Sequence, residues 1–118
     1  MVAAMKEFNE YEAEVKRTWN DSRDASLLGL AGEVGEFLDQ VKKERYHGAL
    51  VDRDKKLKEL GDVFWYLTSC CLAEGFSLQE VAEANVAKLR ARYPNGWSEK
   101  AAAARADERQ LELPIGKP

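Results

Sequence analysis

Proline is the residue that most limits how this chain can fold. Of its three prolines, two stand among the last five positions, and only Pro94 interrupts the rest. Proline removes a backbone donor and clashes with the preceding turn, so it ends helices. Glycine and β-branched residues are also few, and helix formation is open to nearly the whole chain. The apolar pattern agrees. Phe8, Tyr11, Val15 and Trp19 recur at spacings of three and four, which predicts a first helix over about residues 4–19. Residues 20–23 read as a turn rich in cap formers. A second helix over about 24–45 carries a stripe through Leu27, Leu30, Val34, Phe37, Leu38 and Val41. A third, over about 53–74, faces the core with Leu57, Leu60, Phe64, Leu67 and Cys71. Ser77-Leu-Gln-Glu80 is a capping box that opens a fourth helix, with Val81, Ala84 and Leu89 inward. It stops at Tyr93, because the residue before Pro94 is pushed out of helical geometry. Ser98 caps a weak fifth helix through residues 101–104, and residues 113–118 form a loose tail. The expected fold is all-α, a bundle of four main helices with a short C-terminal helix or tail.

The chain's 118 residues are enough for one domain. Its net charge of −3 argues against a general nucleic-acid binder, which needs a basic face. The longest run without a charge, residues 63–73, is too short to span a membrane. The N-terminus has no apolar signal core. Cys70 and Cys71 are adjacent and form neither a disulfide framework nor a zinc motif, so they read as packing residues. The expected location is cytoplasmic, where thiols stay reduced.

Two acidic pairs stand out. Glu33 and Glu36 on the second helix, and Glu59 and Asp62 on the third, are each spaced i, i+3 and lie beside the apolar stripe. Helices joined by a short loop pack antiparallel, which brings the two pairs towards each other. Four carboxylates at one spot repel and are desolvated, so a cation must compensate. Oxygen donors without His or Cys select a hard ion, magnesium, with manganese as the alternative. Gly32, Gly35 and Gly61 adjoin the acids and leave room near the backbone. The other reading is a solvated acidic face in a chain with 21 acids, and spacing alone leaves both open.

On the fourth helix Asn85, Lys88 and Arg92 share a face, followed by Tyr93. An amide and two cations there suit a polyphosphate and a sugar hydroxyl, or a plain surface stripe. Lys42, Lys43 and His47 extend the basic set or simply favour a helix C-terminus. Trp19, Trp65 and Trp97 are stacking candidates, though large aromatics in helices more often form core. One histidine excludes a di-iron site built on two Glu-x-x-His motifs.

Together, Gly-Leu-Ala-Gly-Glu33-Val-Gly-Glu36, then Glu59-Leu-Gly-Asp62-Val-Phe-Trp-Tyr, then Asn85-Val-Ala-Lys88-Leu-Arg-Ala-Arg92-Tyr-Pro resemble the MazG-like nucleoside triphosphate pyrophosphohydrolases of the all-α NTP pyrophosphatase superfamily, in the short stand-alone or phage-type form. The resemblance covers about residues 8–97. It implies a MazG-like domain over residues 1–97, with 98–118 as a C-terminal helix and tail available for oligomer contacts. It implies that Glu33, Glu36, Glu59 and Asp62 hold Mg2+, or Mn2+, and that Glu33 or Glu36 helps deprotonate the attacking water. Lys88 and Arg92 match phosphate-binding residues and Asn85 a substrate-contacting amide, with Tyr93 and Lys43 as further candidate contacts. The implied reaction is hydrolysis of an NTP or dNTP to the monophosphate and pyrophosphate. The implied assembly is a homodimer or homotetramer, with no nucleic-acid or membrane partner. The alternatives are a narrow dUTP, dCTP or phosphoribosyl-ATP hydrolase, or a non-catalytic helical module that binds a nucleotide or a partner helix.

Overall fold

The computed structural model describes residues 7–48, 50 and 52–111. They form six helices: α1 Phe8–Thr18, α2 Arg23–His47, α3 Arg53–Ala73, α4 Leu78–Arg92, α5 Glu99–Ala104 and α6 Ala106–Leu111. The protein is all-α, and there is no strand among the described residues. The start expected for the first helix and the expected tail, residues 113–118, lie outside the described residues.

Local chemistry sets the helix ends. Asn20 Oδ1 accepts from the Ser22 amide, and the Ser22 hydroxyl then caps α2 by accepting from Ala25 N at 3.1 Å. At the other end Gly48 takes a left-handed conformation, φ 63°, and returns its N–H to Lys43 O. Asp52 caps α3 by accepting from Asp54 N, and Ser98 caps α5 as expected, accepting from Ala101 N. The start of α4 holds a surprise. The carboxylate of Glu12 on α1 accepts from the Leu78 amide. Pro94 stops α4 as expected, one residue earlier than Tyr93.

Packing divides the chain into two compact units, Met1–Leu78 and Gln79–Pro118. In the first unit α2 and α3 run antiparallel. Arg23 at the start of α2 pairs with Glu74 beyond the end of α3 at 2.7 Å, and Glu44 near the end of α2 pairs with Lys56 near the start of α3. α1 lies against α3, where Tyr11 stacks on Phe64 with ring centroids 4.5 Å apart and Trp65 Nε1 donates to Thr18 Oγ1 at 2.8 Å.

The deepest side chains here are small: Val15, Ser26, Thr68 and Ser69. The three hydroxyls are buried without penalty because each donates to a carbonyl one turn earlier on its own helix. Small residues also let backbones approach. A Cβ on Gly29 would lie 2.0 Å from Tyr66 Cε1, so the Tyr66 ring rests on the α2 backbone. Gly29→Ala is expected to destabilise the protein by roughly 1–3 kcal/mol through overpacking. Gly32→Ala, which would meet nothing within 4 Å, is expected to be neutral or mildly stabilising. Thermal unfolding of the two variants checks this, and equal losses in both would remove the Tyr66 contact as the cause.

The apolar stripes expected to form the core are only partly covered. Leu38 and Leu57 are each 57% exposed, and Leu27, Val34, Leu60 and Leu67 are also exposed. On α4, Val81 and Leu89 are exposed too. α1 is too short to cover more than part of α3, and the periodicity that marks a face as apolar does not say what covers it. In the second unit the fastening is polar: Arg92 on α4 is bonded to Asp107 on α6, across a reversal at Arg105, φ 47°.

Candidate functional site

The antiparallel pairing of α2 and α3 sets Glu33 opposite Glu59 and Asp62. One carboxylate oxygen from each of the three lies within 4.8 Å of the others. Glu33 and Glu59 are half-buried and Asp62 is exposed. Among the described residues no ion pair neutralises any of them. Burial pushes the Glu33 carboxyl above its ordinary value, and the charges of Asp62, Glu59 and Glu36 push it further. Burial and the Asp62 charge also raise the Tyr11 hydroxyl.

Glu36 stands apart from this trio. Three residues of helix turn it about 60° around the axis from Glu33, and it is exposed. Three of the four expected acids thus converge within 4.8 Å, with Glu36 near enough to act on Glu33 through its charge. Gly32, Gly35 and Gly61 border open space, so packing within the chain does not require them.

The donor set fits a hard divalent cation. It is all oxygen, three atoms converge, and a raised carboxyl beside two like charges is the environment a cation relieves. Glu33, Glu59 and Asp62 are the residues that could hold it.

The other expected residues divide. Asn85 and Lys88 are exposed on α4. Arg92 is largely covered and already engaged: its Nε lies 2.6 Å from Asp107 Oδ1 and its Nη2 3.0 Å from Oδ2. The Tyr93 side chain lies near the Arg92 guanidinium. Lys43 pairs with Asp39 at 3.1 Å as an ordinary surface i, i+4 pair, and Lys42 and His47 are exposed at the end of α2. Two of the three tryptophans are hydrogen-bonded within the fold, Trp19 to Ser26 and Trp65 to Thr18, while Trp97 is 72% exposed. Cys70 and Cys71 are buried free thiols, each raised chiefly by burial, as packing residues are. Asp107 and Glu12 are the polar residues that the sequence reading did not find. Neither sits in a motif, and each acts across a distance in sequence that no local spacing encodes.

An all-α fold with carboxylates from two antiparallel helices converging beside glycines defines a class of acid-cluster helical proteins. The comparison with known sequences is specific within it: the MazG nucleotide pyrophosphohydrolase domain matches residues 21–97. The chain belongs to the MazG nucleotide pyrophosphohydrolase family. Gene 37 protein of Mycobacterium phage L5 is 36% identical over 73 residues, covering 58% of this chain and 64% of that protein. The chain therefore matches less than two thirds of that relative's length. No solved structure matches. No helix among the described residues is long and apolar enough to cross a membrane.

Proposed function

We propose that this protein hydrolyses a nucleoside or deoxynucleoside triphosphate to the monophosphate and pyrophosphate, with magnesium, or manganese in its place, held by Glu33, Glu59 and Asp62. The observation that carries this reading is the convergence of those three carboxylates without a neutralising partner among the described residues. A divalent ion bound there acidifies water and offsets phosphate charge. Glu33 is a candidate to orient and deprotonate the attacking water. Glu36, close but outside the trio, is the second candidate for that role. Lys88 and Arg92 supply cations for the phosphates, Asn85 an amide donor and acceptor, and Tyr93 a neighbouring aromatic. Attack at the α-phosphorus releases pyrophosphate, and the cations offset the charge on that leaving group.

The test is pyrophosphate release from a panel of NTPs, dNTPs and phosphoribosyl-ATP, with magnesium, with manganese and with EDTA. Metal-dependent release is expected, and the preferred base separates a broad enzyme from a narrow dUTP, dCTP or phosphoribosyl-ATP hydrolase. No release from any substrate by folded protein would move the reading to a non-catalytic binding module.

The same proposal includes a second copy of the chain. Leu27, Val34, Leu38, Leu57, Leu60 and Leu67 stand exposed along α2 and α3, and exposed apolar faces mark surfaces that a partner covers. A homodimer or homotetramer would cover it. Leu38→Glu with Leu57→Glu is expected to convert the oligomer to monomer in light scattering behind gel filtration. A wild-type protein that runs as a monomer would remove this part of the reading. The adjacent reduced thiols suit a cytoplasmic setting.

A further inference from the structure

The segment beyond the matched domain carries no motif, yet it provides the partner of Arg92. Asp107 on α6 meets the guanidinium fork to fork, through Nε at 2.6 Å and Nη2 at 3.0 Å. The side chains of Arg92 and Asp107 are only 15% and 7% exposed. Two parallel bonds of this kind set the plane and rotation of a guanidinium, which a single contact does not. Asp107 takes the Nε–Nη2 edge, so the edge bearing Nη1 is turned away from it. Glu108 lies 3.8 Å from Nη2 and is itself bonded to Arg105, so it adds charge without taking a donor from Arg92. Lys88, one turn earlier on α4, is near enough to lower the Asp107 carboxyl, as Arg92 does more strongly.

The pair is not built to be displaced. Opening it would leave a covered carboxylate without its cation, the costly way to break a buried pair. An arriving phosphate therefore meets an arginine already held in place.

We propose that Asp107 is a positioning residue for phosphate binding: it fixes Arg92 so that the outer guanidinium edge and the Lys88 ammonium meet a phosphate group together. This rests on the reading of Arg92 as a phosphate contact, and it gives the C-terminal segment a part in the site.

The test uses the full chain, with calorimetric titration of inorganic pyrophosphate in magnesium alongside nucleotide kinetics. Asp107→Asn is expected to weaken pyrophosphate binding and raise KM about tenfold, the size of one lost charge-assisted bond. The change in kcat should stay within about twofold, since the lost contact serves binding. Adding Asp107→Asn to Arg92→Ala should make binding no worse than Arg92→Ala alone. Asp107→Glu, which keeps the charge and the fork, should restore most of the affinity. The Arg92 Nε–H resonance reports the geometry directly: it should shift in Asp107→Asn and return in Asp107→Glu, which a loss of general stability would not produce. Unchanged pyrophosphate binding in Asp107→Asn would make the pair purely structural and overturn the proposal. Tighter binding would also overturn it, by making α6 a competitor of the phosphate. Wild-type affinity in Arg92→Ala would instead remove Arg92 as a phosphate contact. A wild-type protein that neither binds nor releases pyrophosphate would remove the proposed function and this proposal with it.

Discussion

Asp62→Asn is expected to lower metal-dependent turnover by about two to three orders of magnitude while leaving the helical circular dichroism unchanged, the scale of loss when one charge-stabilising group leaves an active site. Asp62 is exposed, so the amide replaces it without a cavity or an unpaired buried atom. Structural loss should be small for that reason. The chemical loss is large because the substitution removes a full negative charge and one of three oxygens that converge within 4.8 Å. Glu59→Gln should behave alike. Glu36→Gln offers the contrast: Glu36 lies outside the trio, so its variant should keep metal affinity better than Asp62→Asn does, whatever happens to the rate. Steady-state pyrophosphate release, paired with a magnesium titration, separates the two effects. Wild-type turnover in Asp62→Asn would remove the trio as the catalytic centre.

The second large effect is on stability. The folded state holds the Glu33 proton more tightly than the unfolded chain, whose carboxyl titrates near 4.5. Between that pH and the higher folded value, the native protein binds more protons than the unfolded one. The contribution of Glu33 to stability is therefore full below the unfolded value and is lost as pH rises through the folded one. The metal-free protein takes on this strain as pH rises through the folded value and the carboxyl ionises. If magnesium binds the folded cluster and not the unfolded chain, as proposed, it should offset this strain, adding about 2.7 kcal/mol at a hundred times its dissociation constant. Glu33→Gln removes the charge and should do two things at once: raise the unfolding temperature of the metal-free protein at neutral pH, and abolish the rise that magnesium produces. Scanning calorimetry with EDTA and with magnesium reads both. A magnesium response that survives in Glu33→Gln would place the ion elsewhere. Asp107 behaves oppositely. Arg92 holds its carboxyl below the ordinary range, so the stability it contributes is present above that range and is lost only as pH falls through the lowered value.

How much was legible differs from element to element. The turn at residues 20–23, the stop before Pro94 and the Ser98 cap are local events, set by a few neighbouring side chains, and the sequence signals for each match the structure. Helix identity was legible for the same reason: the apolar period is written in consecutive residues. Glu33, Glu59 and Asp62 stood out because their spacing and their neighbours are also local. Their convergence was not, since it depends on the register of α2 against α3. That register is settled by the Tyr66 ring on Gly29 and the ion pairs at both ends of the hairpin. The same register is why Glu36, equal to Glu33 on paper, stands outside the trio.

By itself, then, the sequence determined an all-helical chain, the positions of its helix ends, the faces that carry apolar and acidic residues, and its likeness to a family. Tertiary structure alone decided which acids meet, that Arg92 is held by Asp107 and the start of α4 by Glu12, and that the apolar stripes of α2 and α3 stay open in one chain. The physical reason is range. Caps, proline stops and periodicity act within a turn or two of helix, whereas burial, charge convergence and long-range hydrogen bonds depend on which surfaces meet once the helices pack.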